Sequence, residues 1–343
     1  MIKNVKGSLK NGFFHGLLMC VLAMTVFFLC RTFTRETTLY IVVAAIILTV
    51  VGALVFRLCK NTKKKALSVL ALIVVVAVDL TALFAVTVRQ MAGNMLFYPH
   101  QDAESYEYLN KAEAVEELSI PSENGNISGW FYHQAGDNAP LLLYFGGNGE
   151  CSASWMKRVL ERGNDTPYEG YNLAAVDYPG YGFSDGSCSE SSIKTMVLAA
   201  FDAIVDRDDV DADRIVVMGY SLGTGAANYA ASQRDVIGLI LEAPYSNGYD
   251  LYNSQMPIFY GPMRLLVTYK MPADAFAASV DVVPLLFATK DDELVPYESS
   301  HKLSAIYPQG CHFISLSGFG HNDFGSQTQV MDEIGKYLAE VKE

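Results

Sequence analysis

Ser221 sits in Gly219-Tyr220-Ser221-Leu222-Gly223, a G-x-S-x-G spacing. A serine hydroxyl becomes a useful nucleophile when a tight turn holds it out of a strand and a base takes its proton. The flanking residues suit that geometry. Arg214–Met218 (RIVVM) reads as a short buried strand, and Leu222–Gln233 reads as a helix of small residues. Strained backbone angles are expected at Ser221, with the glycines letting the turn close without side-chain clashes.

The base is expected to be histidine, and the chain has six. His15 falls in an apolar run, His100 precedes the strand-and-helix region, and His133 ends an edge strand. His301 lies in a helix and His312 opens a strand. Only His321 follows a strand in a glycine-containing loop, Ser317-Gly318-Phe319-Gly320-His321-Asn322-Asp323. An acid that orients the imidazole is expected after the strand Leu285–Thr289, where the chain reads Lys290-Asp291-Asp292-Glu293-Leu294-Val295-Pro296. Asp292 is the choice, with Asp291 or Glu293 as alternatives. An oxyanion needs two backbone donors. The N–H of Leu222 is one. Asn148, in the loop Gly146-Gly147-Asn148-Gly149-Glu150, is expected to supply the other, with Gly149 next. Gly147, Gly149, Tyr178 and Tyr181 are expected to line the substrate pocket.

These residues need a frame. Short apolar runs fall at Ala114–Ile120, Ile127–His133, Leu141–Phe145, Asn172–Val176, Ile215–Met218, Ile237–Leu241, Leu285–Thr289 and His312–Leu316. Helical patterns alternate with them at Ser152–Arg162, Glu190–Arg207, Leu222–Gln233, Tyr297–Tyr307 and Gln327–Val341. Alternation of this kind predicts an α/β fold, a mostly parallel eight-stranded sheet with helices on both faces. Asn124-Gly125 predicts a hairpin joining the first two runs at an antiparallel edge. In such sheets ligands bind beyond the carboxyl ends of the strands, where the chosen loops lie.

The N-terminal part differs. Residues 1–90 hold 11 Lys/Arg against 2 Asp/Glu, while the remainder holds 14 against 35. Apolar runs at about 13–30, 39–56 and 66–88 are each long enough to span a bilayer. The predicted domains are therefore a three-span membrane anchor over 1–90, a connector over 91–111 and a catalytic domain over 112–343. Lysines before the first run, and Arg57, Lys60 and Lys63–Lys65 after the second, predict a multi-pass protein of the cell membrane with its catalytic domain on the extracytoplasmic face. Asp79 lies within the third run. Cys151 and Cys188 fall in loops beside the expected site, either paired or as free thiols.

Composition also excludes. The acidic domain argues against nucleic acid and against electrostatic docking on anionic lipid. No His/Cys/carboxylate cluster has metal-ligand spacing, and Gly146–Gly149 fits neither glycine fingerprint for phosphate, so no metal and no cofactor are expected.

With these residues laid out, the stretch from Leu96 to Lys342 resembles the α/β-hydrolase superfamily. It is most similar to membrane-anchored serine hydrolases of the α/β-hydrolase-domain thioesterase and lysophospholipase group. The matching motifs are the Gly-Asn loop at Asn148, Asp177–Gly182 as D-Y-x-G-Y-G, Ser221 in G-Y-S-L-G, Asp292 in D-E-L-V-P and His321 in G-x-G-H-N-D. The family's histidine before Gly-Asn is Gly146 here, which leaves open how that loop is braced. The resemblance implies a Ser221-His321-Asp292 triad that cleaves esters or thioesters of a small or lipid-like acyl substrate through an acyl-enzyme. A peptidase or amidase on the same triad, and a non-catalytic binding protein with this fold, are the alternatives. Between Ala243 and Val282 such enzymes can carry a lid. Met256–Tyr260 and Met263–Val267 either line an acyl pocket there or pack as core.

Overall fold

The computed structural model describes residues 96–342 and, before them, residues 73, 77, 80, 81, 84, 85, 87–89 and 91–93. The chain divides into two compact units, Met1–Met91 and Ala92–Glu343. In the first unit every described residue is helical, and the Thr81 hydroxyl donates to the Ala77 carbonyl at 2.8 Å, one turn back. Among the described residues no helix is long and apolar enough to cross a membrane. The expected spans 13–30 and 39–56 lie outside the described residues. So do Asp79 and most of 66–88.

The second unit is built on one eight-stranded sheet. Its strands are β1 (Val115–Ser122), β2 (Gly125–Tyr132), β3 (Ala139–Phe145), β4 (Asn172–Val176), β5 (Val210–Tyr220), β6 (Gly238–Glu242), β7 (Leu285–Thr289) and β8 (His312–Leu316). Their order across the sheet is β1-β2-β4-β3-β5-β6-β7-β8. The β1–β2 and β2–β4 pairs are antiparallel and the other five are parallel. Every residue of β4, β6 and β7 is buried, which explains their continuous apolar runs: helices cover both faces, so no alternating polar edge is needed.

The helices are α1 (Ala103–Leu109), α2 (Ser152–Arg162), α3 (Glu190–Val205), α4 (Leu222–Gln233), α5 (Gly248–Gln255), α6 (Ala273–Ala277), α7 (Tyr297–Ser304) and α8 (Thr328–Lys342). Local sequence sets several ends. Ser189 caps α3 in a reciprocal box with Ser192. Asp102 caps α1 by accepting the Ser105 N–H, so the stretch expected as a connector contains a helix. The first hairpin turns one residue earlier than its Asn-Gly signal suggests. Ser122 pairs with Gly125, leaving Glu123-Asn124 as the two-residue loop and Gly125, at φ 109°, as the first residue of β2.

The chain leaves β3 toward β4 on one side and returns to β5 on the other. At that reversal the carboxyl ends of β3 and β5 lie side by side, with Phe145 opposite Gly219. A crevice at such a switch point is where ligands bind in open α/β sheets.

Candidate active site

Ser221 follows β5 directly and heads α4. Its φ of 51° and ψ of −113° lie outside the regions most side chains adopt. The turn is held by its neighbours. Ser221 N–H donates to the Glu242 carbonyl at the end of β6, 2.8 Å away. A methyl on Gly223 would collide with the Phe145 carbonyl oxygen, and one on Gly219 with the Gly223 backbone. Here the glycines are required by close backbone approach, both being absent from the residues with positive φ.

His321 opens a short 3₁₀ turn, His321–Ser326, after β8. Its Nε2 is 2.8 Å from Ser221 Oγ, and its Nδ1 is 2.8 Å from Asp292 Oδ2. The His321 and Asp292 side chains are almost wholly buried, 4 % and 3 % exposed. The other Asp292 oxygen accepts the N–H groups of Leu294 at 2.9 Å and Val295 at 2.7 Å. The two neighbouring acids do different work. Asp291 accepts from Gly318 N–H at 2.6 Å, and Glu293 accepts from His321 N–H at 3.2 Å. All three acids thus serve the histidine loop, but only Asp292 reaches the imidazole. Thr289 at the end of β7 adds a bond from its hydroxyl to the Phe319 carbonyl, 2.9 Å.

The Gly146–Glu150 loop follows β3 on the other side of Ser221. A Cβ built on Gly147 would lie 3.7 Å from the Ser221 Cβ, so this loop borders the serine. The Leu222 N–H heads α4, where no preceding turn offers it a carbonyl. The Asn148 side chain is turned away to structure: its Oδ1 accepts from Tyr98 N–H at 2.9 Å and from the Tyr181 hydroxyl at 2.8 Å. Tyr178 and Tyr181, expected in the pocket wall, are fully buried and act as struts. The Tyr178 hydroxyl donates to the Gly146 carbonyl at 2.7 Å. Gly149 adopts φ 79° and faces Tyr98, with its hypothetical Cβ 3.9 Å from that residue's Cβ.

Two carboxyl groups in this region carry no signal of their own in the sequence. Glu150 touches the loop it ends, and Glu242 lies beside it. Glu242 is buried, 5 % exposed, and its Oε1 has no hydrogen-bond partner. Burial pushes its carboxyl up to about 8, with Glu150 adding to the effect and Arg162 and Arg158 opposing it. It lines a cavity of about 90 Å³ together with Tyr144, Arg158, Tyr168 and Tyr220. Ser221 is not part of that wall. Tyr220 links the cavity to the site, since its hydroxyl donates to the His321 carbonyl at 2.9 Å. Neither residue carries a spacing signal, because what isolates a buried acid comes from distant elements.

Cys151, Cys188 and Cys311 are free thiols. Among the described residues no group of His, Cys, Asp and Glu is placed to hold a metal ion. The segment between β6 and β7 is mixed: Phe259 and Val267 are buried as core, while Tyr260 and Leu265 are 57 % and 76 % exposed.

Comparison with known proteins agrees with this architecture. Residues 140–250 match the family described as alpha/beta hydrolase fold. The Pyrococcus furiosus esterase Pf2001 superposes with a TM-score of 0.57 at 16 % identity, covering 72 % of this chain and 98 % of the esterase. An alpha-beta hydrolase from Vibrio vulnificus gives 0.58 at 18 % identity, covering 76 % and 93 %. The chain has the α/β-hydrolase fold. Among sequences, Rv2307c, an uncharacterized protein of Mycobacterium tuberculosis, is 28 % identical over 232 residues, which is 66 % of this chain and 80 % of that protein. YfhR of Escherichia coli is 25 % identical over 252 residues, covering 69 % and 82 %.

Proposed function

We propose that this protein is a serine hydrolase that cleaves carboxylic ester or thioester bonds, with Ser221 as nucleophile, His321 as general base and acid, and Asp292 as the group that orients His321. The observation that carries this reading is the hydrogen-bonded file from Ser221 Oγ through both imidazole nitrogens to Asp292, 2.8 Å at each step. The fold and its similarity to an esterase and to an acetyl xylan esterase from Paenibacillus sp. R4, TM-score 0.51, support the same reaction class.

In this reading Ser221 Oγ attacks the acyl carbon while its proton passes to His321 Nε2. The carbonyl oxygen becomes an oxyanion and receives the N–H groups of Leu222 and Asn148. Collapse expels the alcohol or thiol, which takes the proton from Nε2 and leaves an acyl-serine. Water then attacks that acyl group, giving its proton to Nε2, and the second collapse returns the serine hydroxyl and releases the acid. Asp292 keeps Nδ1 protonated and stabilises the imidazolium, while its bonds from Leu294 and Val295 fix its own position.

The apolar runs of residues 1–90 support a membrane tether, with the acidic domain on the extracytoplasmic side. That placement brings lipid-like or acylated substrates near the site. A reporter fused after Gln90 tests it: activity confined to the cytoplasm contradicts the orientation. The chemical reading is tested with the purified full-length protein and short acyl esters and thioesters. Hydrolysis by the wild type and its loss in Ser221→Ala are expected. Unchanged hydrolysis in Ser221→Ala contradicts the assignment.

A further inference from the structure

The loop after β3 is pinned at three successive residues. Tyr178 holds the Gly146 carbonyl, and Tyr98 and Tyr181 hold the Asn148 side chain. Gly147 between them is held by a charge. Its N–H donates to Glu150 Oε2 at 3.1 Å, and its carbonyl accepts Glu150 N–H at 3.3 Å, closing a small ring. The same carboxylate oxygen accepts the Tyr144 hydroxyl at 2.8 Å, and Glu150 Oε1 pairs with Arg158 on α2. The Tyr144 ring is itself fixed by stacking on Trp155, with centroids 4.2 Å apart and planes 11° from parallel. The Glu150 side chain is therefore anchored from a strand and from a helix, and is only 14 % exposed.

Gly146 makes room for this arrangement. A Cβ there would stand 2.9 Å from Glu150 Oε2, closer than carbon approaches oxygen. The glycine and the carboxylate thus occupy one shared space.

We propose that Glu150 is a positioning residue that selects which backbone N–H of this loop faces the reacting carbonyl. The proposal rests on the serine-hydrolase reading above. By taking the Gly147 N–H out of play, Glu150 leaves Asn148 N–H as the free donor of a loop that borders Ser221. Among the described residues the Asn148 N–H has no other partner. Without the carboxylate, Gly147 N–H is released and the loop can rotate to present either donor. The penalty falls on the transition state, where the oxyanion exists, and not on ground-state binding.

The test measures kcat and KM on a short acyl ester, with thermal unfolding, for the wild type, Glu150→Ala, Glu150→Gln, Gly146→Ala and Gly146→Ala/Glu150→Ala. Removing an oxyanion donor outright lowers kcat by roughly 100- to 1,000-fold, which bounds the effect from above. Glu150→Ala is expected to lower kcat about 10- to 100-fold with KM changed less than about threefold. Gly146→Ala should lower kcat in the same way by displacing the carboxylate, and the double variant should match Glu150→Ala alone. Glu150→Gln keeps the size and an oxygen for Gly147 but loses the charge pairing with Arg158. It is expected to retain more kcat than Glu150→Ala, and it decides the matter if the alanine variant does not fold. Wild-type kcat in both Glu150 variants, losses that multiply in the double variant, or a loss carried by KM overturn the proposal. Absence of wild-type hydrolysis, or its persistence in Ser221→Ala, instead removes the reading on which the proposal rests.

Discussion

Asp292 and Glu242 belong to the carboxyl ends of adjacent strands, β7 and β6, and both side chains are buried, yet their surroundings could hardly differ more. Asp292 accepts two backbone N–H groups and faces an imidazole nitrogen. Glu242 has one oxygen with no partner, and burial pushes its carboxyl up to about 8. Burial alone therefore does not decide which partners a carboxyl group meets. A loop that turns its own N–H groups onto the acid holds Asp292 against the imidazole, and that loop is Asp291–Val295 after β7. The end of β6 contributes its backbone instead, through the Glu242 carbonyl that holds Ser221 N–H.

The largest effect expected from this contrast is on catalysis. Asp292→Asn keeps the shape but offers His321 the wrong partner, and kcat should fall about 10,000-fold. Asp291→Asn and Glu293→Gln, which touch only backbone N–H groups, should lower kcat by less than about tenfold. Steady-state rates on one ester compare the three, and an equal loss in all of them erases the distinction drawn here.

Stability should respond next. Burial pushes the Glu242 carboxyl from its ordinary value of 4.5 up to about 8 in the folded chain. Between these pH values the folded chain keeps a proton that the unfolded chain has released. Stability from this group is therefore full below the lower value, falls as pH rises through the window, and is flat above it. Asp177, which burial pushes from 3.8 up to about 6, adds a smaller fall that begins below this window and ends in its lower half. Glu242→Gln should remove the larger part, leaving the variant more stable than the wild type above pH about 8, by on the order of a few kcal/mol. Denaturant unfolding from pH 5 to 9 checks this, with equal pH slopes as the contrary result.

Tyr220 joins the two regions, so its hydroxyl gives the smallest and most diagnostic effect. Tyr220→Phe removes the bond to the His321 carbonyl and should cost about 1 kcal/mol of stability. A similar loss at the transition state should lower kcat by less than about tenfold. A loss as large as that of Asp292→Asn would mean that the cavity side of the sheet, and not the Asp292 loop, governs the histidine.

Much of this was legible in the chain because it depends on near neighbours. β4, β7 and β8 and helices α2 and α4 begin and end where the residue pattern places them, since strand-like runs bounded by turn residues and helical periodicity are local signals. The separate jobs of Asp291, Asp292 and Glu293 were not legible. Three adjacent acids look alike until the loop fixes which oxygen meets which donor. Short helices α5 and α6 escaped for the same reason as Glu242, because they owe their form to packing against distant elements. Tyr178 and Tyr181 carry a role that aromatic residues beside a site do not announce: their hydroxyls find partners inside, on Gly146 and Asn148.

The central claim is that Ser221 is the atom donor that forms the covalent bond to substrate. Treatment of the full-length protein with a fluorophosphonate, followed by peptide mass mapping, tests it most directly. The account predicts one adduct, on the peptide carrying Ser221, lost in Ser221→Ala and strongly slowed in Asp292→Asn. An active protein whose Ser221 stays unmodified, or an adduct on another residue with equal loss of activity, would contradict it.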